Sequence, residues 1–369
     1  MTLKAAALHD YGQPMTVEEI DIDDPKPTEV KVKIAASGVC HSDYVFVAGK
    51  PFFEGPRPIV LGHEGAGVVE KVGSGVTRVE VGDHVVLSWI YACGNCYYCT
   101  VGRSNLCDVG RGPVIGEGYL ADGTTRLHKG IIPYYHFLGI STMAEYTVCD
   151  EKSVVKVDKD VPLDKAALVG CAVMTGVGAV INTAKPIPGE SVAIFGAGGV
   201  GISCVQGAVL SGAYPIIAVD NKANKLDIAR HFGATHTIDA SKVDAVEEIQ
   251  KITGGGANYT FEAVGHPQLM RNCWDATAKG GTAVVIGGAE MGDEVSIPAL
   301  DFPFTEKAIR GTGYGGARMN VDIPKLLNLY KAGKLNLDDM VSATYPLDGV
   351  NDAFSDLRAG KNLRGVLMM

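Results

Sequence analysis

Along residues 1 to about 172, short apolar and β-branched runs alternate with polar positions at a period of two. Examples are Glu29-Val30-Lys31-Val32-Lys33-Ile34, Gly67-Val68-Val69-Glu70-Lys71-Val72 and Gly82-Asp83-His84-Val85-Val86-Leu87. Gly, Pro and Asp separate the runs, so the pattern predicts a mostly β region. From Ser191 onward the pattern changes, and apolar segments at 192–195, 216–219, 260–263 and 283–286 alternate with helical stretches. That alternation predicts βαβ units around a parallel sheet. The last 50 residues predict a helix at 323–332, a short strand, and a final helix near 350–358. The simplest architecture is a split β-rich domain with an α/β domain inserted into it.

Residues 191–219 hold no charged residue over 29 positions, longer than the ~20 needed to cross a bilayer. They also hold six glycines, Gln206 and Pro215, and divide into strand, glycine turn, helix and strand, which argues against a span. With 33 Lys+Arg against 42 Asp+Glu, a formal charge of −9 and no run of five basic residues, nucleic-acid binding is disfavoured. The first ten residues carry too short an apolar run for a signal peptide, so the cytoplasm is expected. Nine cysteines are present, four of them between positions 93 and 107. In a reducing compartment such clustering points to metal before disulfides.

Three constellations carry chemistry. Gly196-Ala197-Gly198-Gly199-Val200-Gly201 fits G-x-G-x-x-G, follows an apolar strand and opens a helical stretch. Its glycines allow a tight turn and let a pyrophosphate reach the helix N-terminus, where free N–H groups favour anions. Asp220 ends the next strand, 24 residues after Gly196. A carboxylate there accepts hydrogen bonds from an adenosine ribose and repels a 2′-phosphate, which favours NAD over NADP. The second constellation, Cys93-x-x-Cys96-x-x-Cys99-x7-Cys107, offers four thiolates for a closed structural zinc, although an iron–sulfur cluster uses similar spacings. The third is dispersed. Cys40, His63 and Cys171 would make a two-cysteine, one-histidine set with an open position, but their spacing alone does not assemble it, and each alone reads as an ordinary buried side chain.

Taken together, the chain resembles the zinc-dependent medium-chain alcohol dehydrogenases of the liver type, the long form with a structural-zinc lobe. The run Gly62-His63-Glu64-x2-Gly67-x5-Gly73-x2-Val76 is similar to that family's zinc signature. The four-cysteine lobe, Cys171, the glycine fingerprint with Asp220, and His136-Phe137-Leu138-Gly139-x-Ser141-Thr142 also resemble family features. The resemblance implies a GroES-like β-rich catalytic domain, residues 1–172 and 314–369 with a zinc lobe at about 89–110, split around a Rossmann doubly wound parallel-sheet domain at 173–313.

It further implies that Cys40, His63 and Cys171 hold a catalytic zinc and that Cys93, Cys96, Cys99 and Cys107 hold a structural one. Asp43 and Glu64 would stand behind the catalytic ligands, Asp43 orienting His63. Ser42 would pass on the alcohol proton. Gly196, Gly198, Gly199, Val200, Gly201, Asp220, Thr175, Lys225, Ile286, His41 and Arg364 would hold NAD. Trp89 and Phe137 would line the substrate channel. The implied reaction is reversible oxidation of primary alcohols, aryl, allylic or medium-chain, to aldehydes with hydride transfer to NAD.

Three departures and matches matter for substrate. Val45 stands five residues after Cys40, where liver-type members carry a histidine that ends a proton relay. Pro51 stands where the branch that oxidises S-hydroxymethyl glutathione carries an acid, whereas Arg111 matches that branch. A thiol-adduct formaldehyde dehydrogenase is therefore the nearest alternative, with a zinc-free quinone reductase or a non-catalytic relative more distant. The stretch 283–298 is similar to the family's edge strand, so a homodimer is expected, a tetramer being the other arrangement in the family.

Overall fold

The computed structural model describes residues 1–51, 53–111 and 116–369. The chain forms two compact units, one from Met1–Cys171 with Arg318–Met369 and one from Ala172–Ala317.

In the first unit, the strands Thr2–Leu8, Thr16–Ile22, Leu127–Lys129, Ile132–His136 and Ile59–Val60 close into a barrel. A seven-stranded sheet adjoins it, centred on the strand Glu29–Gly38. One edge of this central strand pairs with Gly65–Val72 along most of its length. The other edge is shared: residues 29–33 pair with Tyr146–Asp150, and residues 36–38 pair with Arg364–Met368. Its residues Val30, Val32 and Ile34 pack with Val69, Val85, Leu87, Ile140, Cys149 and Val154 in one buried cluster, which is why the alternation was visible in the sequence. The register against Gly65–Val72 leaves no room at Gly67, where a Cβ would come within 2.1 Å of the Lys33 carbonyl oxygen.

The first unit also buries an ion pair. Arg126 grips Glu29 with both Nε, at 2.9 Å, and Nη2, at 2.5 Å, and reaches Asp122 at 2.7 Å. Two-pronged contact of this kind offsets part of the cost of removing both charges from water. His136 lies beneath it, fully buried, its Nε2 accepting the Arg126 N–H at 3.2 Å.

In the second unit six strands form one parallel sheet, in the order His236–Asp239, Ile216–Asp220, Val192–Phe195, Ala257–Glu262, Thr277–Val285, Ala308–Gly311. The chain steps outward from Val192–Phe195 in one direction and then crosses to its other side, so the strand order reverses between Val192–Phe195 and Ala257–Glu262. The uncharged stretch 191–219 resolves into the strand Val192–Phe195, the buried helix Gly199–Leu210 and the strand Ile216–Asp220. Among the described residues no single helix is long and apolar enough to cross a membrane.

Two expectations are corrected. The stretch 283–298 is not an edge strand: Thr277–Val285 is an interior strand, the chain then turns away, and the edge is Ala308–Gly311. Gly287, Gly288, Gly292 and Pro298 break the alternation, and the Ile286 and Gly287 N–H groups bend back to the Glu262 carbonyl. The last helix, Val350–Ala359, is followed by a further strand, Arg364–Met368, too short to register as one from its alternation alone.

Burial, reinforced by the Arg126 guanidinium, pushes His136 down to about 3. An unfolded histidine titrates near 6.5. Below that pH the unfolded chain takes up a proton that the folded one refuses until about 3, so the contribution is complete above 6.5 and is lost as pH falls through this window. In urea unfolding, wild type should lose roughly 2 kcal/mol more than His136→Gln between pH 7 and pH 5. Equal losses would show that His136 is not held neutral.

Candidate active site

Three separate pieces of the first unit deliver the dispersed constellation to one point. Cys40 follows the central strand and precedes the helix His41–Val47. His63 sits in the turn entering the strand Gly65–Val72, a turn that Gly62 makes at φ +95°, pressed so closely on the chain that a Cβ would meet the Met143 nitrogen at 2.5 Å. Cys171 lies between the helices Leu163–Val169 and Ala172–Gly178. Their ligand atoms all lie within 4.8 Å of one another, and the residues are only 6%, 1% and 7% exposed.

Asp43, on the first turn of the helix His41–Val47, is fully buried; its Oδ1 stands 3.1 Å from His63 Nδ1 and accepts the Gly62 N–H at 3.0 Å. Nδ1 is thereby the protonated nitrogen. Nε2 is left buried and without a hydrogen-bond partner among the described residues. Cys171 donates to Cys40, which draws the Cys40 thiol well below its ordinary range and pushes Cys171 well above. Burial opposes protonation of His63, but the Asp43 carboxylate and Cys40 outweigh it and raise the imidazole. A buried imidazole nitrogen with no hydrogen-bond partner beside two buried sulfurs is a donor set that fits zinc, with three protein ligands and one position left.

Behind these ligands, Glu64 Oε2 meets Arg364 Nη2 at 2.5 Å, both side chains buried. Burial raises Glu64, with the Arg364 cation pulling the other way. Gly38 is required beneath it, since a Cβ there would lie 2.3 Å from Glu64 Oε1. The sequence singled out both residues but not the pairing: the Arg364 guanidinium is engaged with Glu64 inside the first unit. Ser42 is half-buried and His41 exposed, its ring 5.4 Å from that of Tyr44. Val45 packs into the apolar cluster around Phe46 and Phe137.

Trp89 and Phe137 both edge onto the His63 imidazole, with ring centroids at 6.5 and 5.7 Å. The Phe137 backbone is held by Ser141 Oγ, which accepts the Phe137 N–H at 2.9 Å and donates to the Val60 carbonyl at 2.7 Å. Leu138 and Ser141 have positive φ on either side of this lock, a strain that the surrounding bonds hold in place. Phe46 and Phe53 extend the aromatic group, 5.0 and 6.2 Å from Phe137. Sequence reasoning missed both, although the apolar pair at 52–53 so close after Cys40 was the available signal.

The other cysteine cluster is self-contained. Cys93, Cys96, Cys99 and Cys107 bring four sulfurs within 4.8 Å of one another. Cys93 Sγ accepts the Asn95 and Cys96 N–H groups at 3.4 Å, and Cys107 Sγ accepts those of Cys93, at 3.4 Å, and Gly110, at 3.3 Å. Backbone donors aimed at sulfur favour thiolates; Cys96 is drawn down to about 7 by such bonds, whereas burial pushes Cys99 up to about 12. Four sulfurs arranged to share negative charge fit a cation filling a closed site. All nine cysteines are unpaired; Cys149, Cys204 and Cys273 are buried apart from both clusters, with burial raising each thiol. The side chain of Arg111 lies outside the described residues.

In the second unit, Gly196 turns at φ +97° and Gly198 precedes the helix Gly199–Leu210. A Cβ on Gly201 would stand 1.7 Å from the Gly196 oxygen, so the helix can approach the strand only because this residue is glycine. Around Gly198 a Cβ would meet nothing within 4 Å, leaving a cradle open above the free N–H groups of Gly199, Val200 and Gly201. Asp220 accepts the Ala197 N–H at 2.9 Å and the Lys222 N–H at 3.0 Å, with Lys225 Nζ 3.9 Å away. Thr175 lies on the helix Ala172–Gly178, whose Gly176 touches the Val200 oxygen closely enough that a Cβ would come within 2.3 Å. Ile286 leaves the sheet at the same carboxyl end. An anion cradle with an acid at the end of the next strand fits NAD.

A parallel-sheet dinucleotide unit joined to a β-rich unit with a two-thiol, one-imidazole metal site defines a zinc- and NAD-dependent dehydrogenase of alcohols. The family models agree: an alcohol dehydrogenase GroES-like domain matches residues 26–159 and a zinc-binding dehydrogenase domain residues 199–332. The chain belongs to the zinc-dependent medium-chain alcohol dehydrogenase family. It is 41% identical to the alcohol dehydrogenase class-3 of Myxine glutinosa, over 99% of this chain and 97% of that one. It is 40% identical to the S-(hydroxymethyl)glutathione dehydrogenase of Paracoccus denitrificans, over the whole of both. Among solved structures, the benzyl alcohol dehydrogenase of Acinetobacter calcoaceticus superposes with a TM-score of 0.94 at 35% identity, covering 100% of this chain and 99% of that one.

The exposure of the two metal sites runs opposite to a simple expectation that the catalytic ligands are the open ones: three of the four lobe cysteines are half-exposed, whereas Cys40, His63 and Cys171 are buried. Ligand number, three against four, is what separates their hold on metal. Elemental analysis should find two zinc ions per chain, and a chelator should abolish activity before it unfolds the protein. One zinc or none in active protein, or unfolding that precedes inactivation, would count against this.

Proposed function

We propose that this enzyme oxidises primary alcohols carrying an aromatic, allylic or extended apolar group to aldehydes, reversibly, with hydride transfer to NAD. The observation that carries the substrate class is the pair of rings, Trp89 and Phe137, set against the His63 imidazole. Cys40, His63 and Cys171 would hold the catalytic zinc, and Cys93, Cys96, Cys99 and Cys107 the structural one. When bound, zinc supplies the Lewis acidity that lets an alcohol lose its proton near neutral pH.

The chain's own residues do the rest. Asp43 keeps the proton of His63 on Nδ1, so that Nε2 faces the metal position. The Ser42 hydroxyl receives the alcohol proton, and because Val45 offers no nitrogen, the proton leaves by His41 or by water at the cofactor ribose. Trp89 and Phe137 exclude water and bury the substrate's apolar group, worth roughly 25 cal/mol per Å². Gly196, Gly198, Gly199, Val200 and Gly201 cradle the pyrophosphate, Asp220 accepts from the adenosine ribose, and Thr175, Lys225 and Ile286 complete the cofactor residues of the second unit; the resemblance also assigns His41 and Arg364 to the cofactor. In this assignment residues 1–172 and 314–369 serve catalysis, and 173–313 serve dinucleotide binding.

A second reading has specific support. Relatives matching 98–100% of this chain are named S-(hydroxymethyl)glutathione dehydrogenase or alcohol dehydrogenase class-3, and these names favour a thiol-adduct alcohol over an aryl one. Pro51 and the aromatic pair pull toward the first reading. One assay separates them. With NAD⁺, benzyl alcohol and hexanol should exceed ethanol in kcat/KM by tenfold or more, about 1.4 kcal/mol of transition-state binding, and 2-propanol should be poorer. Ethanol or 2-propanol matching the larger primary alcohols would remove Trp89 and Phe137 from the site, and formaldehyde oxidation that requires added glutathione and outpaces benzyl alcohol would establish the second reading. In the same assay Asp220→Gly should weaken use of NAD⁺ and improve use of NADP⁺.

A cytoplasmic location fits this chemistry. A homodimer fits the exposed edge strand Ala308–Gly311 and the exposed Leu300 and Phe304 just before it, which a second copy would cover. Light scattering at the mass of one 38.8 kDa chain would refute the dimer.

A further inference from the structure

At the carboxyl end of the second unit's sheet lies a buried acid with no part in the chemistry above. Glu262 ends the strand Ala257–Glu262, is 0% exposed, and stands opposite Phe195 on one side and Val285 on the other. Three turns therefore leave the sheet around it: the glycine turn after Phe195, residues 263–266 after Glu262 itself, and residues 286–288 after Val285.

The Glu262 side chain and backbone tie two of these turns to each other. Oε1 accepts the N–H groups of Val264 at 2.9 Å and Gly265 at 2.7 Å, while its carbonyl oxygen accepts those of Ile286 at 2.9 Å and Gly287 at 3.1 Å. Oε2 points toward Gly287, where a Cβ would come within 2.7 Å of it. The turns are packed to the backbone: a Cβ on Gly265 would stand 2.3 Å from the Gly288 oxygen, and one on Gly196 would stand 2.5 Å from Val264 Cγ2. So 263–266 is wedged between the pyrophosphate turn and 286–288, and Glu262 is the wedge's anchor.

The strand order says what passes over it. A dinucleotide lies across the point where strand order reverses, one mononucleotide half on each side. Asp220 takes the adenosine ribose on the side of the strand Ile216–Asp220, so the nicotinamide half falls on the side of Ala257–Glu262 and Thr277–Val285. We propose that Glu262 is a positioning residue for the nicotinamide half of NAD, fixing turns 263–266 and 286–288 in one arrangement before the cofactor arrives. The inference rests on the second unit binding NAD. Preformed turns spare the cofactor the cost of ordering them.

The requirement is an acceptor oxygen at that reach. Glu262→Gln keeps it, whereas Glu262→Asp withdraws it by one methylene and releases the Val264 and Gly265 N–H groups. By fluorescence titration, the NADH dissociation constant of Glu262→Asp should rise tenfold or more, and its KM for NAD⁺ should rise in parallel with no fall in kcat. Glu262→Gln should stay within threefold of wild type in both. Gly265→Ala, which forces the two turns apart with the acid intact, should weaken NADH as Glu262→Asp does, and it serves if Glu262→Asp does not fold. A folded Glu262→Asp that binds NADH within threefold of wild type, or Glu262→Gln as weak as Glu262→Asp, would overturn the proposal. Wild type that fails to bind NADH would instead overturn the cofactor reading beneath it.

Discussion

The hydrogen bonds along the central strand Glu29–Gly38 are the constraint on which the catalytic chemistry depends. One edge fixes the strand that His63 and Glu64 lead into; the other fixes the strand that Arg364 begins; the strand's own end delivers Cys40. A slip of one residue would turn every side chain to the opposite face. In this register the strands approach so closely that a Cβ would clash at Gly67 with Lys33 and at Gly38 with the Glu64 side chain. Three ligands far apart in the chain meet because one ladder is locked.

Charge is arranged around that meeting point in alternation. A carboxylate, Asp43, stands behind the imidazole, and a carboxylate–guanidinium pair, Glu64 with Arg364, stands beside the thiols. Each of these groups would be costly in a buried place if left alone. Together with a dication they approach balance. The same economy of partners appears around Asp220 and Glu262, where Asp220 and Oε1 of Glu262 accept backbone N–H groups at turns.

What could be read from the sequence divides along physical lines. Local patterns survived: the parallel-sheet alternation, the glycine turn with Asp220, and the four-cysteine lobe each depend on residues close in sequence. The catalytic set needed resemblance, because nothing local in Cys40, His63 or Cys171 declares that the central strand will join them. Two misreadings share one cause. At 283–298 the resemblance carried the expected strand past Val285, where in fact backbone bonds to Glu262 end it; at 364–368 a strand of five residues was too brief to show a period. Strand ends are set by pairing partners, and partners are not written in the run itself. Arg364 shows the same limit for function, since its engagement with Glu64 depends on a neighbour three hundred residues earlier.

The interrupted first unit has a consequence for how the molecule is made. Ribosomal synthesis delivers the chain from its amino end, and domains generally fold as units in that order. Here the first unit is begun, left open, and resumed only after Ala317, so the second unit is complete while the first still lacks its last strand. Until Arg364–Met368 emerges, residues 36–38 of the central strand have no partner on that edge, Glu64 has no cation against it, and the thiols of Cys40 and Cys171 wait in an unfinished shell. The chain order therefore completes the dinucleotide unit before the residues that pair with the end of the central strand have been made.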